Sequence, residues 1–333
     1  MTDVVLGVDV GGTTTAAGAV RDDGEVVFEL RAPTHGSGPP SAGRTLEALI
    51  AAACTRATRE GVHVTAVGIG VPGIVDPITG VIHEAHHVPD LEGVALAAEL
   101  GTRCGLPVAV DNDVNALAMG EWYFGAGRGA RSLVVLAAGT GFGAGIVIDG
   151  RLVHGAAGFG GEFGHTPVKF DGPPCWCGGR GCLAVFASGR GIAEAARVLF
   201  ADQPAAPLLR AAGGVALDID AALVFRCAAQ GDPIAAGVVD TACRALGAMI
   251  AVIVNGLNPE VIVITGGVAA AFAAHAEQVR AAARTHAFAR ALATTNLTIV
   301  PGDKGVTMRG AAALVLPQRG DAGSGTLNTG RTR

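Results

Sequence analysis

The chain has 333 residues and a net charge of −5; half of it is apolar, 4% aromatic and 16% charged. At about 150 residues per domain the length points to two domains, and the apolar content excludes a mostly disordered chain. The charge is spread along the chain, which argues against a nucleic-acid binder with a basic face. Glycine stands at 51 residues, about twice the usual share of about 7%. With no G-X-Y period this is not collagen, and the surplus is expected in turns and where backbone approaches a ligand. The start, MTDVVLGVDV, has an acid and no basic run, so it does not read as a signal peptide. No membrane span is expected. The nearest stretch, Ala245–Asn258, reads as a buried helix interrupted by Asn255, Asn258 and Pro259, too short for the about 20 apolar residues a span needs. A cytoplasmic protein is expected.

In chain order, Val4–Val8 is an apolar strand, residues 9–13 turn, Thr14–Val20 alternates, and Asp22-Asp23-Gly24 is a hairpin signal before Glu25–Leu30. A helical stretch covers Ser41 to about Arg59, and a buried strand, Ala66–Val71, ends in Pro72-Gly73. A helix over about Ala95–Cys104 and a strand at Val108–Val110 follow. The second half restarts the pattern: Leu133–Ala137, a turn at Gly139-Thr140-Gly141, Gly143–Ile148, a hairpin at Asp149-Gly150, and Arg151–His154. LGVDVGGTTTAAGAVRDDGEVV and VVLAAGTGFGAGIVIDGRLV thus form a weak internal repeat and point to two related domains. Later, Val261–Thr265 ends at Gly266-Gly267 and leads into a helical stretch over Val268–Arg284. Residues from Gln318 onward read as a disordered tail.

Glycine turns after strands gather backbone N–H groups at one point, which suits phosphate oxygens. One such turn is a weak signal; three, at Gly11-Gly12-Thr13, Gly139-Thr140-Gly141 and Gly266-Gly267, are harder to dismiss. Asp9 adjoins the first. A lone Asp at a strand end is usually a cap, but beside a phosphate cradle it can hold Mg²⁺ through water. No P-loop motif is present, and Gly139–Gly143 turns into a strand rather than a helix, unlike a dinucleotide fingerprint.

GHTPVKFDGPPCWCGGRGC brings His165, Cys175, Cys177 and Cys182 within 18 residues. One histidine and three cysteines suit a closed, structural Zn²⁺ site; the alternative is free thiols in a loop. Cys54, Cys104, Cys227 and Cys243 are scattered and read as core residues. Asp111-Asn112-Asp113 stands between a strand and a helical pattern. Helix capping is one reading, and a catalytic carboxylate the other. The position lies between the two repeats, where a ligand cleft between domains would form.

The motifs DVGGTTTAAGAV, GIGVPGIVD, DNDVNALAMGE, GTGFGAGIVIDGRLVHG, GEFGH, CWCGGRGC and TGGV together resemble the ROK group of sugar kinases and sugar-responsive repressors, and among these glucokinase-type enzymes. The resemblance runs from Val4 to about Val315. It implies an actin-like ATPase (ribonuclease H-like) α/β fold with two related domains around a cleft. The expected division is a small domain at 1–112 with 303–317 returning to it, and a large domain at 113–302 carrying a zinc loop at 165–182. It also implies an ATP-dependent hexose kinase acting on a primary hydroxyl, turning glucose into glucose 6-phosphate. Asp113 resembles the general base, Asn112 a sugar-hydroxyl ligand, and Glu162 and His165 sugar contacts. Asp9, Gly11, Gly12, Thr13, Gly139, Thr140 and Gly141 resemble the ATP-phosphate and Mg²⁺ groups, and Gly266 and Gly267 the turn near adenosine. The implied partners are a hexose and a nucleotide, with no nucleic acid and no membrane, in a homodimer or higher homo-oligomer.

Three departures stand out. Thr14 replaces a frequent Lys, Ala184 replaces the Glu that usually contacts sugar two residues past the last Cys, and His86-His87 stands where an Asn is usual. Ala184 keeps two alternatives open: a kinase for another hexose (fructose, mannose, an N-acetylated hexosamine) or a non-catalytic sugar-binding protein. A repressor is disfavoured, because the first strand at Val4 leaves no room for a preceding helix-turn-helix.

Overall fold

The computed structural model describes residues 2–36, 41–76, 78–200, 207–302 and 304–316. They form two compact units: 2–120, 147–152 and 308–316 in the first, 121–146 and 153–307 in the second. The tail from 318 lies outside the described residues.

The first unit contains β1 (Thr2–Val10), β2 (Thr14–Val20), β3 (Val26–Pro33), α1 (Ala42–Arg59), β4 (Val62–Val71), a short hairpin of β5 (Ile74–Val75) and β6 (Ile82–His83), α2 (Leu96–Cys104), β7 (Val108–Asn112) and the start of α3 (Asp113–Tyr123). Its sheet runs β3-β2-β1-β4-β7, with β1–β2 and β2–β3 antiparallel and β1–β4 and β4–β7 parallel. Leu46, Leu49, Ile50, Ala53 and Ala57 are the buried stripe of α1, the three-and-four spacing of a helix lying on a sheet.

The second unit follows with β8 (Ser132–Ala138), β9 (Phe142–Ile148), β10 (Arg151–Leu152), α4 (Ala184–Ala187), α5 (Gly189–Phe200), α6 (Pro207–Ala211), α7 (Ala221–Ala229), α8 (Pro233–Leu257), β11 (Val261–Thr265), α9 (Ala269–Ala273), α10 (Ala276–Arg284), α11 (Ala289–Leu292) and β12 (Asn296–Ile299), save that Val147–Leu152, the end of β9 and all of β10, is grouped with the first. Its sheet runs β10-β9-β8-β11-β12. In both sheets the order is therefore third, second, first, fourth, fifth. The weak repeat in the sequence is a duplicated topology. Asp149 and Gly150 both have positive φ, 49° and 75°, the type I′ turn that a two-residue Asp-Gly hairpin demands.

The last helix, α12 (Lys304–Ala313), explains part of the glycine surplus. Gly7 is in register with Gly18 on one neighbour and Gly68 on the other. A Cβ on Gly7 or Gly68 would strike the Met308 or Ala311 carbonyl oxygen, and one on Gly18 the Met308 sulfur at 2.6 Å. Three bare glycines across three strands thus form a floor on which α12 lies at backbone distance. Gly310 of α12 in turn meets the Ala116 carbonyl of α3. This is why the first stretch of α3 packs with the first unit, and why the division falls after Gly120 rather than after Asn112.

Three expectations change. The helix read at Ala245–Asn258 begins at Pro233, behind an Asp232 cap that accepts from Ile234 and Ala235 N–H at 2.9 and 3.0 Å. At 25 residues it is long and apolar enough to cross a membrane by composition, yet 67% of its apolar window is buried in the fold. Asn255 does not interrupt it, because its exposed amide turns out to bond the His286 carbonyl and the Phe288 N–H. The single helical stretch at Val268–Arg284 is two helices, with His275 as the N-cap position of the second. Cys227 and Cys243 are core residues, whereas Cys54 and Cys104 are only half-buried.

Candidate active site

Parallel strands bring their carboxyl ends to one edge of each sheet, where loops can gather ligand groups. In the first unit Asp9 is in register with Gly70, and Gly70 with Asp111. Asp9, the turn after it and the Asp111–Asp113 segment therefore share one edge. The turn at Gly11–Thr13 closes through the Gly11 N–H to the Thr14 carbonyl at 3.1 Å. It is braced by Thr34, a fully buried residue just past β3. The Thr34 hydroxyl donates to the Gly11 carbonyl at 2.5 Å, its N–H donates to the Thr13 carbonyl at 3.0 Å, and it accepts from the Thr15 hydroxyl at 3.0 Å. A trans peptide points its C=O and the following N–H in opposite directions. Fixing the Gly11 carbonyl on Thr34 thus aims the Gly12 N–H away from Thr34.

The carboxylate segment separates its two readings. Asn112, not Asp113, caps α3: its Oδ1 accepts from the Val114 and Asn115 N–H groups at 2.8 and 3.3 Å. Its Nδ2 donates to the Gly73 carbonyl at 2.8 Å. Asp111 is buried and accepts from the Asn112 N–H and the Asn115 amide. Asp113 opens the helix, half-buried, with the Val114 N–H donating to its Oδ1 at 2.9 Å. Burial pushes its carboxyl up to about 6, while hydrogen bonds from the Val114 and Asp113 backbone, the nearby His87 and Asn112 hold it from rising further. A carboxylate tuned into this range is poised for proton transfer near neutral pH.

In the second unit β8 and β11 are parallel neighbours, with Ala137 in register with Thr265. The Gly139–Gly141 turn and Gly266-Gly267 therefore lie side by side, tied by the Val268 N–H to the Ala138 carbonyl at 2.9 Å. The start of α5 holds the first of these turns. The Gly189 N–H donates to the Gly139 carbonyl at 2.8 Å and the Arg190 N–H to the Thr140 carbonyl at 3.1 Å. By the same peptide geometry the Thr140 and Gly141 N–H groups point away from α5.

The GEFGH segment lies against β9, because Gly164 is bare where a Cβ would strike the Phe142 carbonyl. Glu162 is exposed and His165 half-buried. One ligand atom each from His165, Cys175, Cys177 and Cys182 falls within 4.8 Å of all the others. Cys175 Sγ is 3.5 Å from His165 Nδ1, and Cys177 Sγ is 3.8 Å from Cys182 Sγ. A tetrahedral metal with arms of about 2.3 Å to sulfur and about 2.0 Å to nitrogen gives edges of about 3.5 and about 3.8 Å for such pairs. The donor set and its size fit Zn²⁺. Within the same loop Trp176 meets His165 edge-on at 6.4 Å, and the Arg190 guanidinium lies over its ring at 4.5 Å. The cysteine loop is therefore in contact with the residue that braces the Thr140 carbonyl.

Asp9, Gly11, Gly12, Thr13, Asn112 and Asp113 thus form one set on the first unit. Gly139, Thr140, Gly141, Gly266, Gly267, Glu162, His165 and the three cysteines belong to the second. Sequence reasoning missed Thr34, which stands about 20 residues past the turn it braces and has no local signature. It also missed Arg190 and Trp176, which meet only in the fold. Gly189 had a signal, the Ser-Gly pair before an amphipathic run.

Similarity to known proteins matches this geometry. The chain is 35% identical over 269 residues to a glucokinase of Thermotoga maritima, covering 80% of this chain and 83% of that one. It is 38% identical over 278 residues to a glucokinase of Halalkalibacterium halodurans, covering 80% and 81%. A ROK family glucokinase from Streptomyces griseus, solved with glucose and AMPPNP, superposes with a TM-score of 0.71 at 34% identity, covering 93% of this chain and 98% of that one. The fold is the actin-like ATPase fold of these sugar kinases, with its mixed sheet present twice. The ROK family model matches residues 5–318, so nearly the whole chain is accounted for, and the protein belongs to the ROK family.

Proposed function

We propose that the protein is an ATP-dependent hexose kinase that phosphorylates the primary hydroxyl of glucose to give glucose 6-phosphate, with Asp113 as general base. The observation that carries this reading is the state of Asp113: beside the cap that Asn112 provides and sharing its Val114 N–H, half-buried, and tuned to about 6. At pH 7 such a carboxyl is about nine-tenths ionised. It accepts the hydroxyl proton as the sugar oxygen attacks the terminal phosphorus, and ADP leaves. The identity to glucokinases over four-fifths of the chain supports glucose as substrate.

Each set of residues is assigned by itself. On the first unit, Gly11, Gly12 and Thr13 present backbone N–H groups to phosphate, Asp9 is the residue that would hold Mg²⁺ through water, and Asn112 is a sugar ligand. On the second, Gly139, Thr140 and Gly141 bind phosphate, Gly266 and Gly267 stand near adenosine, and Glu162 and His165 bind sugar. Zn²⁺ held by His165, Cys175, Cys177 and Cys182 would lock the imidazole through Nδ1 and leave Nε2 for the sugar. Mg²⁺, when bound, supplies charge neutralisation on the phosphates. A cytoplasmic location goes with this reading.

Ala184 favours a second reading, a kinase for a different hexose, since this position is a fully buried alanine with no carboxylate to offer. A coupled assay of ADP release with glucose, mannose, fructose and N-acetylated hexosamines tests both. Glucose is expected to give the highest kcat/KM; a higher value for another hexose establishes the second reading, and no ADP release with any of them leaves a sugar-binding protein.

A further inference from the structure

We propose that Trp176 and Arg190 act as one positioning pair for the nucleotide: the stack of the guanidinium on the indole holds the first turn of α5, and through it the Gly139–Gly141 turn. This rests on the reading of that turn as a phosphate binder.

The start of α5 needs a handle. Its leading N–H groups are all engaged. Gly189 and Arg190 donate to the Gly139 and Thr140 carbonyls at 2.8 and 3.1 Å, Gly191 to the hydroxyl of the buried Ser188 at 3.0 Å, and Ile192 to the Ser188 carbonyl at 2.9 Å. Helix starts ordinarily leave such groups to caps or water. Here two of them carry the glycine turn, so the turn is only as firm as this end of the helix. Yet Arg190 is flanked by Gly189 and Gly191, and glycine weakens a helix more than any residue but proline. Close approach dictates both glycines. A Cβ on Gly189 would stand 3.1 Å from the Gly139 carbonyl oxygen, and one on Gly191 would strike the Ala184 carbonyl at the start of α4. Ile192 is buried. In this first turn Arg190 is therefore the side chain that can be gripped from outside.

The grip comes from the cysteine loop. Trp176 is a central residue of a tight turn closed by the Gly178 N–H on the Cys175 carbonyl at 3.0 Å, and the Cys175 N–H donates to the Gly179 carbonyl at 2.8 Å. The indole meets His165 edge-on at 6.4 Å, and the Arg190 guanidinium lies over its ring at 4.5 Å. Glu194, one turn along α5, pairs with Arg190 Nε at 2.7 Å. A planar guanidinium can stack on a ring and bond a carboxylate at once. The Arg190 side chain is thus fixed to the loop at one end and to α5 at the other, and its backbone N–H is the one on Thr140.

The test is the Kd of a non-hydrolysable ATP analogue and of glucose, by calorimetry, for wild type, Trp176→Ala, Arg190→Ala, the double variant and Trp176→Phe, with melting temperature and metal content as controls. Arg190→Ala keeps the backbone N–H on Thr140, and Trp176→Ala keeps His165 and all three cysteines of the loop. Each single variant is expected to raise Kd for the ATP analogue about 3-fold to 30-fold. The double variant is expected to do no more than either alone, because both remove the same contact. Trp176→Phe, which keeps a ring face, is expected within about twofold of wild type. In Arg190→Ala the Kd for glucose is expected to change by less than about twofold, since the contact of Trp176 with His165 stays. Trp176→Ala with the wild-type Kd for the ATP analogue, or single effects that multiply in the double variant, overturns the proposal and leaves Arg190 acting without Trp176. Affinity rather than turnover is read, so a wild type that binds the ATP analogue but transfers to no hexose fails the kinase reading alone, and one that binds no ATP analogue overturns both.

Discussion

The two glycine turns occupy the same point of two equivalent sheets, between the first and second strands, and are held by different devices. In the first unit a buried side chain does it, through the hydroxyl and N–H of Thr34. In the second the work is done by backbone alone, through the N–H groups of Gly189 and Arg190 at the start of α5. The ends of the fifth strands differ more. β7 ends in Asn112 and hands over to Asp113, whereas β12 is followed by Val300-Pro301-Gly302. Duplication therefore supplied the scaffold and the glycine turn twice, and the Asp111-Asn112-Asp113 segment once. What a turn needs is that its carbonyls be fixed on one side; whether a hydroxyl or an amide fixes them is open to variation.

That asymmetry is most directly broken at Asp113. Asp113→Asn is expected to lower kcat by about 10²–10⁴ while sugar affinity, measured by calorimetry, stays within a few-fold of wild type, because Asn112 keeps the cap. Wild-type kcat should itself fall on acidification through about pH 6, where Asp113 takes up its proton, by about tenfold per pH unit below that. A flat profile from about pH 5 to 7 would separate catalysis from Asp113.

The cysteine loop belongs to the second unit and has no counterpart in the first. Its four ligand atoms lie within 4.8 Å of one another, a spacing that suits a bound Zn²⁺. One zinc per chain is expected by metal analysis of untreated protein. Cys177→Ser should release it and weaken ATP binding about 10–100-fold, because Trp176 loses its seat under Arg190. Unchanged ATP affinity in a zinc-free variant would uncouple the loop from the second turn.

Thr34→Val sharpens the contrast between the braces. It keeps the volume but leaves the Gly11 carbonyl and the Thr15 hydroxyl without their partner, a loss of about 1–2 kcal/mol, read as a roughly fivefold to thirtyfold rise in KM for ATP. A KM within twofold of wild type would show that the Thr13 bond alone suffices. Gly189→Ala should do least. Its new Cβ would lie 3.1 Å from the Gly139 carbonyl oxygen and 3.3 Å from Val268 Cγ2, so neighbours must give by a few tenths of an ångström. The cost is expected at the lower end of the about 1–3 kcal/mol range for overpacking, visible first as a lowered Tm.

Much of this was legible in the residues themselves. Alternation and Asp-Gly pairs marked both hairpins, since a strand's faces and a two-residue turn are decided by adjacent residues. The spacing of one histidine and three cysteines marked the candidate metal loop, because four such side chains within 18 residues can converge by local turns alone. The Asp111-Asn112-Asp113 segment could be located, but not which of its side chains caps α3. That needed the direction of each carboxylate and amide, which only the helix start at Asp113 decides. The apolar run at Ala245–Asn258 shows only the C-terminal half of α8, because the half that starts at Pro233 behind the Asp232 cap carries Asp240, Thr241 and Arg244 among its apolar residues. The glycine floor under α12, the brace of Thr34 and the stacking of Arg190 on Trp176 join residues from about 14 to about 300 positions apart. Sequence determined which residues have the right chemistry and local geometry; tertiary packing decided which of them meet, because contact between distant segments is set by the burial of whole strands and helices rather than by any residue's own preference.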